Sequence, residues 1–133
     1  MELEVGMYVR LVNEVVNIVV INKIANVSET TILTENDGSI YQGVYIKESV
    51  IKASYNIIDI LKVGDYVNGI EIIKIYEKGD SFAGNHNYIF KEKTIEVCND
   101  NYETIPHEAL FINNEIKTIV THEQMEQMMY KVG

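Results

Sequence analysis

A chain of 133 residues, 47% of them apolar, can bury one ordinary core, or two small ones of about 60 residues each near the lower limit for independent folding. Twenty acidic residues against eleven basic ones leave a formal charge of −9, which argues against a surface built for nucleic-acid phosphates. One proline and eight glycines exclude a disordered or low-complexity chain, and the single cysteine, Cys98, excludes an intrachain disulfide and fits a reducing compartment.

Ile and Val dominate the apolar residues, and their β-branched side chains suit pleated strands. The first lobe opens at Val5-Gly6-Met7-Tyr8-Val9-Arg10-Leu11, continues through Val15 to Ile24 as a β-rich run, and then reaches Thr30-Thr31-Ile32-Leu33-Thr34. Asp37-Gly38, within Glu35-Asn36-Asp37-Gly38-Ser39, predicts a tight hairpin because both residues tolerate positive φ, with Ile40 to Ile46 as the returning strand. Lys47 to Ser54 reads as a strand end or crossing segment, and Asn56 to Lys62 as a link.

Beyond the link, Val63-Gly64-Asp65-Tyr66-Val67 repeats the opening V-G-x-Y-V pentapeptide. A turn at Asn68-Gly69 leads to a strand over Ile70 to Tyr76. Lys78 to Asn87 is the most loop-like stretch; strand-like runs follow at Tyr88 to Phe90 and Thr94 to Cys98, a turn at Asn99-Asp100-Asn101 precedes a short stretch to Phe111-Ile112, and Ile116 to Val120 reads as the closing strand. Thr121-His122-Glu123-Gln124 has the S/T-x-x-E/Q pattern of a helix start, followed by Met125, Met128 and Met129 on one helical face. The expected fold is mainly β: two small SH3-like antiparallel barrels in tandem, residues 1–62 and 63–133, with a short C-terminal α-helix in the second lobe. A single larger sandwich is the alternative.

No catalytic or metal signature stands out. His86, His107 and His122 lack metal-ligand spacing, a Cys98–His107 nucleophile pair has nothing local to activate the thiol, and Gly79 to Gly84 lacks the lysine-serine pair of a phosphate loop. Carboxylates at Asp59, Asp65, Glu71, Glu77 and Asp80 invite a metal-dependent hydrolase reading, although twenty acids produce such clusters by chance. The candidate ligand-binding set is Tyr8, Arg10, Tyr66, Phe82, Asn85, His86, Tyr88 and Lys91. Aromatic rings offer stacking surfaces, and Arg10, the only arginine, suits a bidentate phosphate or carboxylate. No metal or other cofactor is expected.

Three segments together carry a resemblance. They are Val5 to Arg10, Asn56 to Gly69 with its N-I-I-D and V-G-D-Y-V-N-G runs, and Ile116 to Val132 with I-K-T-I-V-T-H-E-Q. The chain resembles small proteins encoded by phages and prophages of Firmicutes such as clostridia, bacilli and listeriae. This resemblance implies an accessory protein that counters bacterial defence. It carries no catalytic motif. The expected function is non-enzymatic sequestration of a small anionic ligand, a nucleotide immune signal, between lobes or at a homo-oligomer interface. An acidic inhibitor of a host defence nuclease or complex is the alternative, and a metal-dependent hydrolase of the signal the third. With no secretory leader and no apolar stretch near 18 residues, the expected place is the bacterial host cytoplasm, without membrane or direct nucleic-acid binding.

Overall fold

The structure, a computed structural model, describes residues 2–82, 85–97 and 109–132, with backbone alone at 82, 85–88, 109 and 128–132. It is mainly β, with two antiparallel five-stranded sheets and one short C-terminal helix. Contacts divide it into two compact units, residues 2–61 with 120–132, and residues 62–119.

The first unit contains β1 (Tyr8–Asn13), β2 (Ile18–Val27), β3 (Thr31–Thr34), β4 (Val44–Ile46) and β5 (Val50–Ser54), in the order β4-β3-β2-β1-β5. A 3-10 turn, Lys47–Ser49, joins β4 to β5. β2 serves two partners. Ile18 to Lys23 pairs with β1, and Ile24 to Val27 pairs with β3 after a register shift between Ile24 and Asn26. Such a shift bends the strand and lets the sheet curl. The pleat alternates side chains between faces, so Val9 and Leu11, Ile18, Val20 and Ile24, Ile32 and Tyr45 converge in one buried core. Each such aliphatic side chain is worth about 1.5–3 kcal/mol of burial.

The second unit holds β6 (Tyr66–Val67), β7 (Ile70–Tyr76), a separate hairpin of β8 (Ser81–Phe82) and β9 (Asn85–Ile89), then β10 (Thr94–Val97) and β11 (Ala109–Phe111). With β12 (Ile119–Val120) its sheet runs β11-β10-β7-β6-β12, the same SH3-like connectivity, and a 3-10 turn, Asn113–Glu115, again precedes the last strand. Its interior includes Val67, Ile72, Ile95 and Val97, with the Tyr76 and Phe90 rings stacked at 4.3 Å.

The repeated pentapeptide has one structural meaning in both units. Gly6 (φ 94°) and Gly64 (φ 101°) occupy a tight turn closed by Met7 N–H to Glu4 C=O at 3.2 Å and Asp65 N–H to Lys62 C=O at 3.0 Å. Each glycine N–H then donates to the next sheet strand, Gly6 to Ile24 C=O at 2.9 Å and Gly64 to Ile72 C=O at 3.0 Å. Ile24 and Ile72 return their N–H groups to Met7 C=O and Asp65 C=O, both at 2.8 Å. Glycine is required because an L side chain at this φ is strained.

Several expectations need correction. The β-rich run expected over Val15 to Ile24 becomes strand only at Ile18, since residues 14–17 form a turn with Asn17 at φ 55°. The strand expected over residues 40–46 is only β4. Before it, side chains of Asn36 and Asp37 accept the Gly38 and Ser39 N–H groups, diverting the backbone from a ladder. The link at 56–62 contains a 3-10 turn, Ile57–Ile60, capped by the Asn56 side chain and burying Ile57, Ile58 and Ile60. The loop-like stretch after Lys78 is the β8–β9 hairpin.

Helix α1 (His122–Val132) begins with the predicted capping box. Gln124 N–H donates to Thr121 Oγ1 at 3.1 Å, and Thr121 N–H to Gln124 Oε1 at 2.9 Å. It does not belong with residues 63–119. Thr121, fully buried, donates its hydroxyl to Val19 C=O of β2 at 2.6 Å, and the helix packs in the first unit. Position in the chain placed it with the second lobe; this hydrogen bond and the contacts around it place it with the first. Met128 and Met129 lie outside the described side chains. Among the described residues no helix is long and apolar enough to cross a membrane.

Candidate functional site

The expected binding residues fall into separate places. Tyr8 is half-buried on β1, with the Lys23 ammonium 5.4 Å from its ring centre. Arg10 is also on β1, yet its side chain is only 4% exposed. Its guanidinium donates to Ile60 C=O at 3.2 Å and reaches Glu123 Oε1 at 3.5 Å, so it ties β1 to the Ile57–Ile60 turn and to α1. Tyr66 is half-buried on β6, opposite Glu71. Phe82, Asn85, His86 and Tyr88 share the β8–β9 hairpin, where Phe82 pairs with Asn85, and their side chains are outside the description. Lys91 is exposed after β9. Cys98 and His107 lie outside the described residues.

A different group encloses a cleft of about 290 Å³ within the first unit. One wall is Val12, Asn13, Glu14 and Val15, at the end of β1 and in the turn after it; the other is Gln42 to Ile46, with Ser49 from the 3-10 turn. Asn13 builds both walls. Its Oδ1 accepts the Val15 and Val16 N–H groups at 3.1 and 3.3 Å, which shapes the turn, and its Nδ2 donates to the Tyr45 hydroxyl at 3.0 Å. That hydroxyl in turn donates to Tyr41 C=O. Burial, reinforced by the Asp37 charge, raises the Tyr45 pKa above the ordinary tyrosine value, while the Asn13 bond pulls the other way. The phenol therefore stays a neutral donor near neutral pH.

The lining mixes aliphatic Val12, Val15, Val44 and Ile46 with polar Asn13, Gln42, Tyr45 and Ser49, and among the described residues its one charge is Glu14. Val15 is 92% exposed and Val44 68%, and Val44 also borders a second, smaller cleft of about 90 Å³ with Leu33, Thr31 and Asn26. Sequence reasoning missed this group because Val15 and Val16 read as strand interior. The flanking pair Asn13 and Asn17 was the available signal for a turn.

The two units differ here. In the first, the β1–β2 hairpin extends by four residue pairs, from Arg10–Ile21 to Asn13–Ile18, and this extension supplies the wall from Val12 to Val15. In the second, β6 and β7 meet across Asn68-Gly69 alone. There Asn68 accepts the Lys117 and Thr118 N–H groups at 2.8 and 3.2 Å and donates to Glu115 C=O at 3.0 Å, securing the turn to the segment beside it. The second unit's own addition is the β8–β9 hairpin. Among the described residues no group of three or more histidine, cysteine or carboxylate side chains is placed to hold a metal ion.

Comparison with family models, with curated proteins and with solved structures gave no match to this chain.

Proposed function

We propose that this chain is a non-enzymatic, acidic binding protein of phage or prophage origin that counters bacterial defence by occupying a host protein in the bacterial cytoplasm. One observation carries this reading above capture of a nucleotide. The first unit's cleft presents exposed Val15, Val44 and Ile46 beside uncharged polar groups, and among the described residues its single charged lining residue is Glu14, which repels phosphate and attracts a cationic protein surface. Arg10, the residue best suited to an anion, is buried against Ile60 and Glu123. A net charge of −9 acts in the same direction.

A second reading, sequestration of a small anionic nucleotide signal, rests on the β8–β9 hairpin. It is an addition to the repeated sheet plan, bears Phe82, Asn85, His86 and Tyr88, and is followed by the exposed Lys91. Native mass spectrometry of the protein recovered from phage-infected cells separates the two. A complex with a defined host subunit is expected, whereas release of a nucleotide on denaturation moves the function to sequestration.

A further inference from the structure

We propose that the free edge of β4 takes an extended, basic segment of the partner protein as an added strand, with an apolar side chain of that segment seated in the cleft beside Val15 and Tyr45. This deepens the protein-binding reading and rests on it.

Among the described residues the backbone of β4 is paired on one side only, since it ends the order β4-β3-β2-β1-β5. Thr34 N–H donates to Gly43 C=O at 2.9 Å, and Lys47 N–H to Thr30 C=O at 3.0 Å, with Tyr45 opposite Ile32 between them. In an antiparallel ladder the bonded residues alternate, so Gly43, Tyr45 and Lys47 direct their peptide groups at β3. The N–H and C=O of Val44 and the N–H of Ile46 therefore point outward. Proteins commonly blunt such an edge with proline, a bulge or inward charge. Here β4, a short edge of three residues reading Val44-Tyr45-Ile46, carries no proline, bulge or charge, and Val44 and Ile46 are exposed.

The cleft follows this strand, being lined by every residue from Gln42 to Ile46. Strand addition uses outward backbone groups for affinity and adjoining pockets for selection among alternate side chains. Charge selects the occupant. Glu14 lines the cleft, and Asp37 is near enough to Tyr45 to raise the pKa of its hydroxyl. A second copy pairing through β4 would bring another net charge of −9, whereas lysine or arginine flanking an aliphatic residue complements Glu14 and Asp37.

The test is an amide NMR titration of the full chain with a capped Lys-Val-Lys-Val-Lys-Val peptide, set against its Glu-Val counterpart. Shifts confined to Val12–Val15 and Gln42–Ile46 are expected, with slowed hydrogen exchange at the Val44 and Ile46 amides and about tenfold weaker binding of the acidic peptide. Val44→Pro removes an outward N–H without touching the β3 ladder, and Glu14→Lys reverses the lining charge. Each is expected to weaken binding of the basic peptide about tenfold or more. The charge-reversal variant and the exchange data decide the matter if the proline variant does not fold. Absence of shifts at about 1 mM peptide, equal affinity for both peptides, or a free protein that dimerises through β4 overturns the proposal. A host subunit that is captured while the Val44 and Ile46 amides exchange freely removes the edge as the site and leaves the protein-binding reading standing.

Discussion

Thr121 and Val19, 102 residues apart in sequence, are joined by a 2.6 Å hydrogen bond from the threonine hydroxyl to the β2 carbonyl. The same oxygen accepts the Gln124 N–H, so one buried hydroxyl both starts α1 and fixes it to the sheet. Thr121→Val keeps the shape and loses both bonds. It should cost about 2 kcal/mol, from a lost cap and an unpaired carbonyl, read as a lower urea midpoint with unchanged slope.

The Arg10 and Glu123 partners should respond unequally. Arg10→Met leaves Ile60 C=O without its buried donor and is expected to destabilise by about 2–4 kcal/mol. Glu123 is 39% exposed, and its contact with Arg10 is long, so Glu123→Gln should cost less than about 1 kcal/mol. Equal losses in the two denaturation curves would mean that the ion pair, rather than the carbonyl contact, governs this site.

Tyr45 predicts an alkaline effect with a definite sign. Its folded pKa lies above the ordinary 10.0, chiefly through burial, so above that pH the unfolded chain gives up the proton first. The stability from this neutral phenol is complete below pH 10.0 and falls as pH rises through the higher folded value. Tyr45→Phe should therefore start less stable by about 1–2 kcal/mol, with Asn13 Nδ2 and Tyr41 C=O unpaired, and decline less steeply above pH 10.0 than the parent chain. Urea midpoints on either side of that pH measure both. Tyr55, raised mainly by its bond to Glu4, contributes to the parent decline and is unchanged in the variant.

Gly6→Ala and Gly64→Ala test whether the two turns are energetically as well as geometrically alike. Both glycines have φ near +100°, and at Gly6 an added Cβ would meet only Tyr55 Cε1 at an ordinary 3.7 Å. Backbone strain alone predicts a loss of about 1–2 kcal/mol at each. A thermal midpoint lowered by one substitution and not by the other would break the equivalence.

What the sequence revealed and what it hid divide by range. V-G-x-Y-V and T-H-E-Q act within a few residues, so a turn glycine and a capping box are readable without knowing the fold. The 3-10 turn after Asn56 was obscured because Ile57, Ile58 and Ile60 look equally at home in a connecting strand. The turn after Asn13 was hidden by two valines that in other settings extend a strand. Arg10 could not be placed from its neighbours. The Ile60 carbonyl that it meets is 50 residues away and the Glu123 carboxylate 113 residues away, distances over which no local spacing speaks.

The chain leaves its first unit at Leu61 and re-enters it at Val120, which makes the second unit an insertion within the first. During synthesis on the ribosome, the five strands from Tyr8 to Ser54 emerge long before Thr121 and Glu123. Until those last residues arrive, Val19 C=O lacks its threonine donor and Arg10 lacks its Glu123 contact. The first half made is thus the last half finished, and a nascent chain stalled in the second unit would carry a sheet still lacking its α1 contacts.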